Sequence, residues 1–517
     1  MDQTAFQVQP ERQTTGVPGL DEVLHGGLQL GRLYLVEGTP GTGKTTMAMQ
    51  FLLAGVRAGL RALYITLSES ESELRSVAAA HEWSLEGLEV FQLITEEGLD
   101  PDAQQSVLHP SELELGETTR GVMARVEEAR PDLVVFDSLS EMRVLAQNPL
   151  RYRRQVLALK QFFNQAGCTV LMLDDRGSEP GDLQLHSIAH GVITLEQLAL
   201  AFGSERRRVR ILKMRGSRYD GGFHDFSILK GGLRVYPRLV ARDHGTQGGS
   251  GLVSSGNDGL DRLLGGGLTP GTSLLLSGPA GVGKSTIATS AAVAALGRGD
   301  RVAYFTFDEG LATMIARCRA LGLDLQPHLA SGALTLRQVD PAEMSPGEFA
   351  GLIQDAVDGS AAKVVVIDSL NGYLQSMPGE NFLVLQMHEL LSYLSQRGVI
   401  TLLVLSQHGV MGDLRSSVDL SYLADSVMLL RYFEVDGVIR KAVSVVKTRT
   451  TRHELTIREF SLSDNGLRIG EPLRGFSGVL AGNPTWSGAS ADLLSNVGDY
   501  GADGAATRDE GRGRGNA

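Results

Sequence analysis

Two nine-residue stretches carry the residue types that grip phosphate: Gly38-Thr39-Pro40-Gly41-Thr42-Gly43-Lys44-Thr45-Thr46 and Gly278-Pro279-Ala280-Gly281-Val282-Gly283-Lys284-Ser285-Thr286. In each, the glycines let the backbone turn its amide N–H groups toward phosphate oxygens, and the positive end of a following helix adds to the attraction. Lys44 or Lys284 would neutralise the outer phosphates, and the hydroxyls of Thr45 and Ser285 suit Mg²⁺. Each loop follows an apolar run, Leu33 to Val36 or Leu274 to Leu276, that reads as a buried strand, and each precedes helical periodicity. One such loop could arise by chance. Two in matched settings, their lysines 240 residues apart, do not.

Acidic residues recur at fixed places after the loops. Asp137 and Asp368 each end an apolar strand, where a carboxylate can hold the hydration shell of a phosphate-bound Mg²⁺; the alternative is a polar cap on a core strand. Ser68-Glu69 and Asp308-Glu309 follow the strand after each loop's helix. A carboxylate there can orient water or take a proton from a hydroxyl, which makes Glu69, Asp308 and Glu309 the candidate catalytic groups. Glu69 could instead begin a solvated acidic run with Glu71 and Glu73.

Late in each half comes a basic strand. Lys213 and Arg215, like Lys447 and Arg449, alternate onto one strand face. Paired cations at an edge can reach a neighbour's triphosphate as arginine fingers do; charge that protects an edge strand from aggregation is the alternative. The first role requires sites between subunits and a closed ring.

The elements that must position these groups repeat as well. Gly19-Leu20-Asp21 and Gly26-Gly27-Leu28 recur as Gly259-Leu260-Asp261 and Gly266-Gly267-Leu268, again 240 residues on, whereas Asp137 and Asp368 lie 231 apart, so intervening loops differ in length. Strands alternate with helical patterns, which implies parallel βαβ units, and the later strands are spaced as hairpins. The expectation is an α/β fold with a mixed sheet flanked by helices, twice. The boundaries read as an extension over 1–12, a first domain over 13–241, a polar glycine-rich linker over 242–251, a second domain over 252–470 and a disordered tail over 471–517.

The chain's 517 residues allow two to four domains, and 42% hydrophobic with 21% charged residues is ordinary for a globular protein. A net charge of −12 argues against a sequence-independent nucleic-acid binder. The cysteines, Cys168 and Cys318, have no metal-ligand spacing and fit a reducing cytoplasm. No leader or membrane span is expected.

With Thr15-Gly16-Val17-Pro18-Gly19-Leu20-Asp21 opening the repeat, two phosphate loops, the acidic pairs and the late K-x-R strands, residues 13 to 470 resemble the KaiC family of clock ATPases and autokinases in the RecA superfamily. The resemblance implies two tandem RecA-like P-loop NTPase domains in a double-ring homohexamer, with ATP and Mg²⁺ at subunit interfaces in both tiers, and partners of the KaiA or KaiB kind. It also implies that Lys213, Met214, Arg215, Ser217 and Tyr219 contact nucleotide on the adjacent first domain, and that Lys441, Lys447, Thr448, Arg449, Thr451 and His453 do so in the second tier. The chain departs from the family's pattern in three places. Ser68 stands where the family has glutamate, Asp308 is shorter than the family's residue, and the autophosphorylated Ser-Thr pair corresponds to Ser421-Tyr422, leaving one serine acceptor with Ser416 and Ser417 nearby.

The leading expectation is a ring ATPase that phosphorylates its own Ser421 and acts as a clock-like or signalling switch. A RecA- or helicase-like motor on DNA is a second reading, since Ser406-Gln407-His408-Gly409 resembles RecA-type sensor loops. A scaffold that binds ATP to assemble with little turnover is a third.

Overall fold

The computed structural model describes residues 11–93, 110–176, 183–240, 251–375, 382–407, 421–435, 437–463, 466–480 and 485–486. Ser416, Ser417, most of the expected linker and the chain from 487 onward lie outside these residues. Two compact units emerge. The first is Met1–Arg238 with Ala342–Leu352, and the second is Leu239–Pro341 with Ile353–Ala517. The segment Ala342–Leu352, read from the sequence as part of the second domain, groups with the first unit because the Gly347 amide donates to the half-buried Asp225 carboxylate at 2.8 Å and Ser227 donates to Glu348 at 2.9 Å.

The first unit is built on nine strands: β1 (Leu33–Gly38), β2 (Ala62–Thr66), β3 (Leu88–Gln92), β4 (Leu133–Asp137), β5 (Thr169–Asp175), β6 (Gly191–Leu198), β7 (Arg206–Met214), β8 (Phe223–Leu229) and β9 (Gly232–Tyr236). Their order is β3-β2-β4-β5-β1-β6-β7-β8-β9. The first six in that order are mutually parallel, and the last three add antiparallel hairpins. Alternation of side chains explains the burial. In β1, Leu33 and Leu35 enter one core layer while Tyr34 and Val36 enter the other, so helices cover both faces of the parallel part.

The second unit repeats this plan with β10 (Ser273–Gly278), β11 (Arg301–Thr306), β12 (Leu334–Gln338), β13 (Ala362–Asp368), β14 (Ile400–Ser406), β15 (Ser426–Val435), β16 (Val438–Thr448), β17 (Arg458–Ser463) and β18 (Gly466–Pro472). Its order, β12-β11-β13-β14-β10-β15-β16-β17-β18, is that of the first unit strand for strand. The packed chain continues beyond residue 470: Leu473 and Val479 are buried with Phe433 and Ala442.

In each unit the central strand lies between two parallel neighbours and delivers the chain into a phosphate loop, then into a helix, α1 (Lys44–Arg57) or its counterpart α3 (Lys284–Gly297). This is the carboxyl end of the sheet at a crossover, where open α/β sheets bind ligands. Gly43 and Gly283 cap these helices with φ of 97° and 118°, a left-handed conformation that side chains resist. Gly55 lets α1 sit close to the sheet, since a Cβ there would fall 2.1 Å from Leu133 Cδ1.

The next helices, α2 (Glu71–Ala80) and α4 (Leu311–Ala320), keep the 240-residue register, with buried Leu74 and Ala78 matching Met314 and Cys318. Ser70 caps α2 in a reciprocal box with Glu73, and Glu71 pairs with Arg75 one turn on.

Because Phe136 on β4 is fully buried, Phe136→Ala is expected to cost about 3–5 kcal/mol. The loss should appear in urea denaturation as a lowered midpoint of the first unit's transition, with the second unit's unchanged.

Candidate active sites

Strand registers assemble each site. Thr66 pairs with Asp137 and Gly38 with Asp175, so the ends of β2, β4, β1 and β5 line up beside the loop; Thr306 with Asp368 and Gly278 with Ser406 do the same in the second unit.

In the first site the Lys44 ammonium donates to the carbonyls of Gly38 and Thr39 at 2.9 and 3.1 Å and pairs with Asp175 at 2.7 Å. The Thr45 hydroxyl lies 3.4 Å from Asp137 Oδ2 and 3.5 Å from Glu69 Oε1. Asp137 is buried, which pushes its pKa up, and the Tyr64 phenol donates to it at 2.6 Å. Burial, with the Asp137 charge second, also raises the Glu69 carboxyl. Glu69 therefore turns toward the site, while Glu71 and Glu73 serve the helix; its Oε2 has no hydrogen-bond partner among the described residues. Ser68 is exposed.

The second site is an open cleft of about 290 Å³ lined by the phosphate loop, Thr306, Asp308, Glu309, Arg317, Asp368, Ser369 and Ser406. Lys284 donates to the carbonyls of Gly278 and Pro279 at 3.0 and 2.7 Å, and its burial lowers the ammonium to about 8. Tyr304 donates to Asp368 at 2.7 Å, and the Ser369 hydroxyl donates to Asp308 at 2.5 Å. Asp368, like Asp137, is pushed up by burial. Arg317 grips Glu309 through two parallel bonds of 3.0 and 2.8 Å. In the loops, Thr42 and Val282 turn inward and are fully buried, so only their backbone can serve a phosphate.

Both sites offer hard oxygen donors to a divalent ion, Thr45 with Asp137 and Ser285 with Asp368, whose hydroxyl hydrogen-bonds the carboxylate. That donor set fits Mg²⁺, which prefers carboxylate, hydroxyl and phosphate oxygens.

The late basic residues do not join these clusters within one chain. Lys213 donates to the carbonyls of His186 and of Ala189, the latter at 2.8 Å, and Arg215 to that of Ser187 at 3.0 Å. In the second unit Lys447 grips the carbonyls of Ser421 and Ala424 at 2.8 and 2.7 Å, and Arg449 that of Tyr422 at 2.9 Å. The K-x-R pair thus braces the segment leading into the preceding strand in both units, the end of the short helix Leu183–Ile188 in the first and a turn bearing Ser421 in the second. Met214 and Tyr219 pack against the first core, and Ser217 accepts from Gln29 at 2.7 Å. Thr451 donates to the Leu264 carbonyl, burial lowers the Lys441 ammonium, and none of Lys441, Thr448, Thr451 or His453 lines the cleft around Lys284.

Asp175, Arg317 and the phenols of Tyr64 and Tyr304 are site residues that motif reasoning missed. The tyrosines did leave a signal, recurring 240 residues apart in matched strands. Arg317 left none, for its counterpart on α2 is Val77.

The geometry agrees with comparison to known proteins. A sequence model of the KaiC ATPase matches residues 13–240 and again 253–474. The chain belongs to the KaiC ATPase family. The KaiC family member described as circadian clock protein KaiC3 of Synechocystis sp. is 27% identical over 495 residues, covering 95% of this chain and 98% of the relative. The circadian clock oscillator protein KaiC of Synechococcus elongatus is 26% identical over 486 residues, 92% of each chain, and that of Picosynechococcus sp. is 26% identical over 482. The two sheets are accordingly tandem KaiC-type, RecA-like domains. No helix among the described residues is long and apolar enough to cross a membrane.

Lys284 sets a pH dependence. Its folded-state pKa of about 8 lies below the ordinary lysine value of 10.5, so the unfolded chain binds the proton more tightly and stability rises as pH climbs between those values. Urea denaturation of nucleotide-free protein at pH 7.5 and 10 should show the second unit gaining stability, on the order of 2–3 kcal/mol from this group. Lys284→Met should flatten that increment.

Proposed function

We propose that this KaiC-family chain is a ring ATPase and serine autokinase, with ATP and Mg²⁺ bound at both phosphate loops against a neighbouring copy. The observation that carries the reading is one cluster repeated in both units: loop lysine, loop hydroxyl, tyrosine-supported aspartate at a strand end, and glutamate before the next helix.

The loop amides and Lys44 or Lys284 hold the β- and γ-phosphates. Thr45 with Asp137, and Ser285 with Asp368, hold Mg²⁺. When bound, the ion neutralises charge developing on the transferred phosphoryl group. In the first site Glu69 takes a proton from the attacking water; the γ-phosphorus–oxygen bond breaks and ADP leaves. Its raised pKa makes it a better proton acceptor than an ordinary glutamate at neutral pH. In the second site the nucleophile is the Ser421 hydroxyl of a neighbour, with Asp308 or Glu309 as acceptor of its proton.

The bracing of the Ser421 turn by Lys447 and Arg449 supports this assignment. A strand that reaches toward a neighbour's triphosphate would carry the acceptor serine to the same place. Cations that do not serve the site of their own chain support sites shared between copies, for which we propose a double-ring hexamer. The relatives' names place them in circadian clocks, and we extend to this chain a nucleotide-driven switch of that kind, with KaiA- or KaiB-like partners, in the cytoplasm.

Purified protein incubated with Mg²⁺ and ATP should gain one phosphate at Ser421 by intact-mass and peptide mass spectrometry. Ser421→Ala and Lys284→Ala should each abolish that gain, whereas Lys44→Ala should chiefly weaken ring assembly. Absence of phosphate on Ser421 despite measurable ATP hydrolysis would refute the autokinase half of the reading.

A further inference from the structure

The two sites share a plan but treat their glutamates differently. Glu69 faces Thr45 at 3.5 Å, and its second oxygen is unpaired among the described residues. Glu309, its counterpart 240 residues on, has both carboxylate oxygens engaged: Arg317 Nε donates to Oε1 at 3.0 Å and Nη2 to Oε2 at 2.8 Å. The same guanidinium reaches back to the loop, with Nη1 3.4 Å from the Thr286 hydroxyl. Pair and loop are part-buried and line one cleft. A bidentate arginine–carboxylate contact is among the strongest and most directional ion pairs available to a side chain.

Arg317 lies on α4 two turns beyond Glu309, and the register of α2 against α4 puts Val77 at the corresponding place. Val77 packs against the first core and carries no charge. At this place on the two helices the second site thus carries a guanidinium where the first has an apolar side chain.

We infer that Arg317 is a positioning residue that holds Glu309 away from attacking water, suppressing hydrolysis in the second site and leaving transfer to a hydroxyl as its reaction. Hydrolysis needs a carboxylate oxygen free to take the water proton while the water oxygen bonds to the γ-phosphorus and the bond to ADP breaks. Both Glu309 oxygens are instead spent on the guanidinium. Asp308 remains, hydrogen-bonded to Ser369 at the cleft wall, as the carboxylate that can receive a proton from an incoming serine. This inference rests on the ATPase and autokinase reading and deepens it by assigning why one site hydrolyses and the other transfers.

Steady-state ATP turnover by the full chain tests it. In a Glu69→Gln background, which removes the first site's proton acceptor so that turnover reports the second site, Arg317→Val is expected to raise kcat about tenfold or more, with KM changed by less than about twofold because loop and metal ligands are untouched. Adding Glu309→Gln should remove the gain, and Arg317→Lys, whose single ammonium cannot hold both Glu309 oxygens at once, should give a smaller rise than the valine variant. Arg317→Gln provides the same comparison if the valine variant does not fold. A kcat that falls or is unchanged, or a gain that survives Glu309→Gln, overturns the inference. A parent chain that hydrolyses ATP while Arg317→Val gains nothing sinks the inference alone. Parent and variant both inert sink the ATPase reading with it.

Discussion

Everything at these sites depends on placing a carboxylate at the buried end of an apolar strand. Asp137 and Asp368 close strands that are hydrophobic on both faces, where an uncompensated charge is expensive. The protein meets that cost locally: a phenol from the adjacent strand donates to each carboxylate, and the loop hydroxyl stands on its other side. Lysine, hydroxyl and tyrosine are thereby fixed relative to one another before any nucleotide arrives. The same burial raises both aspartates and lowers Lys284.

Strand order turns this local arrangement into a site. With the central strand between β5 and β6, or between β14 and β15, each loop opens at the point where the sheet's connections reverse direction, and the ends of four strands converge there. The antiparallel hairpins beyond β6 and β15 carry the lysine–arginine strands away from that mouth, toward the segments at His186–Ala189 and Ser421–Ala424.

Much of this was legible in the sequence because it is local. The loops announce themselves by glycine and lysine spacing, the strands by period-two apolar runs, and Asp137 and Asp368 by closing such runs. The mixed character of the sheets was legible from hairpin spacing. What escaped depends on which strands become neighbours. Asp175 meets Lys44 only because β5 pairs with β1, and Tyr64 meets Asp137 only because β2 pairs with β4. Arg317 reads as an ordinary helix-surface cation until α4 is laid beside the loop. The placement of Ala342–Leu352 with the first unit turns on contacts such as those of Asp225 with Gly347 and Ser227 with Glu348, which no periodicity reveals.

The identical strand order of the two sheets bears on how the chain reaches its native state. Parallel pairings join segments far apart in sequence and so form late, and here every strand has a counterpart in the other half with similar length and apolar pattern. Each half is a template that could capture the other's strands. Synthesis from the amino terminus limits that exchange, because β9 is complete at Tyr236 before Ser273 begins the second central strand. A chain unfolded whole and refolded at once loses that temporal order, and mispaired, domain-swapped species are the expected by-product.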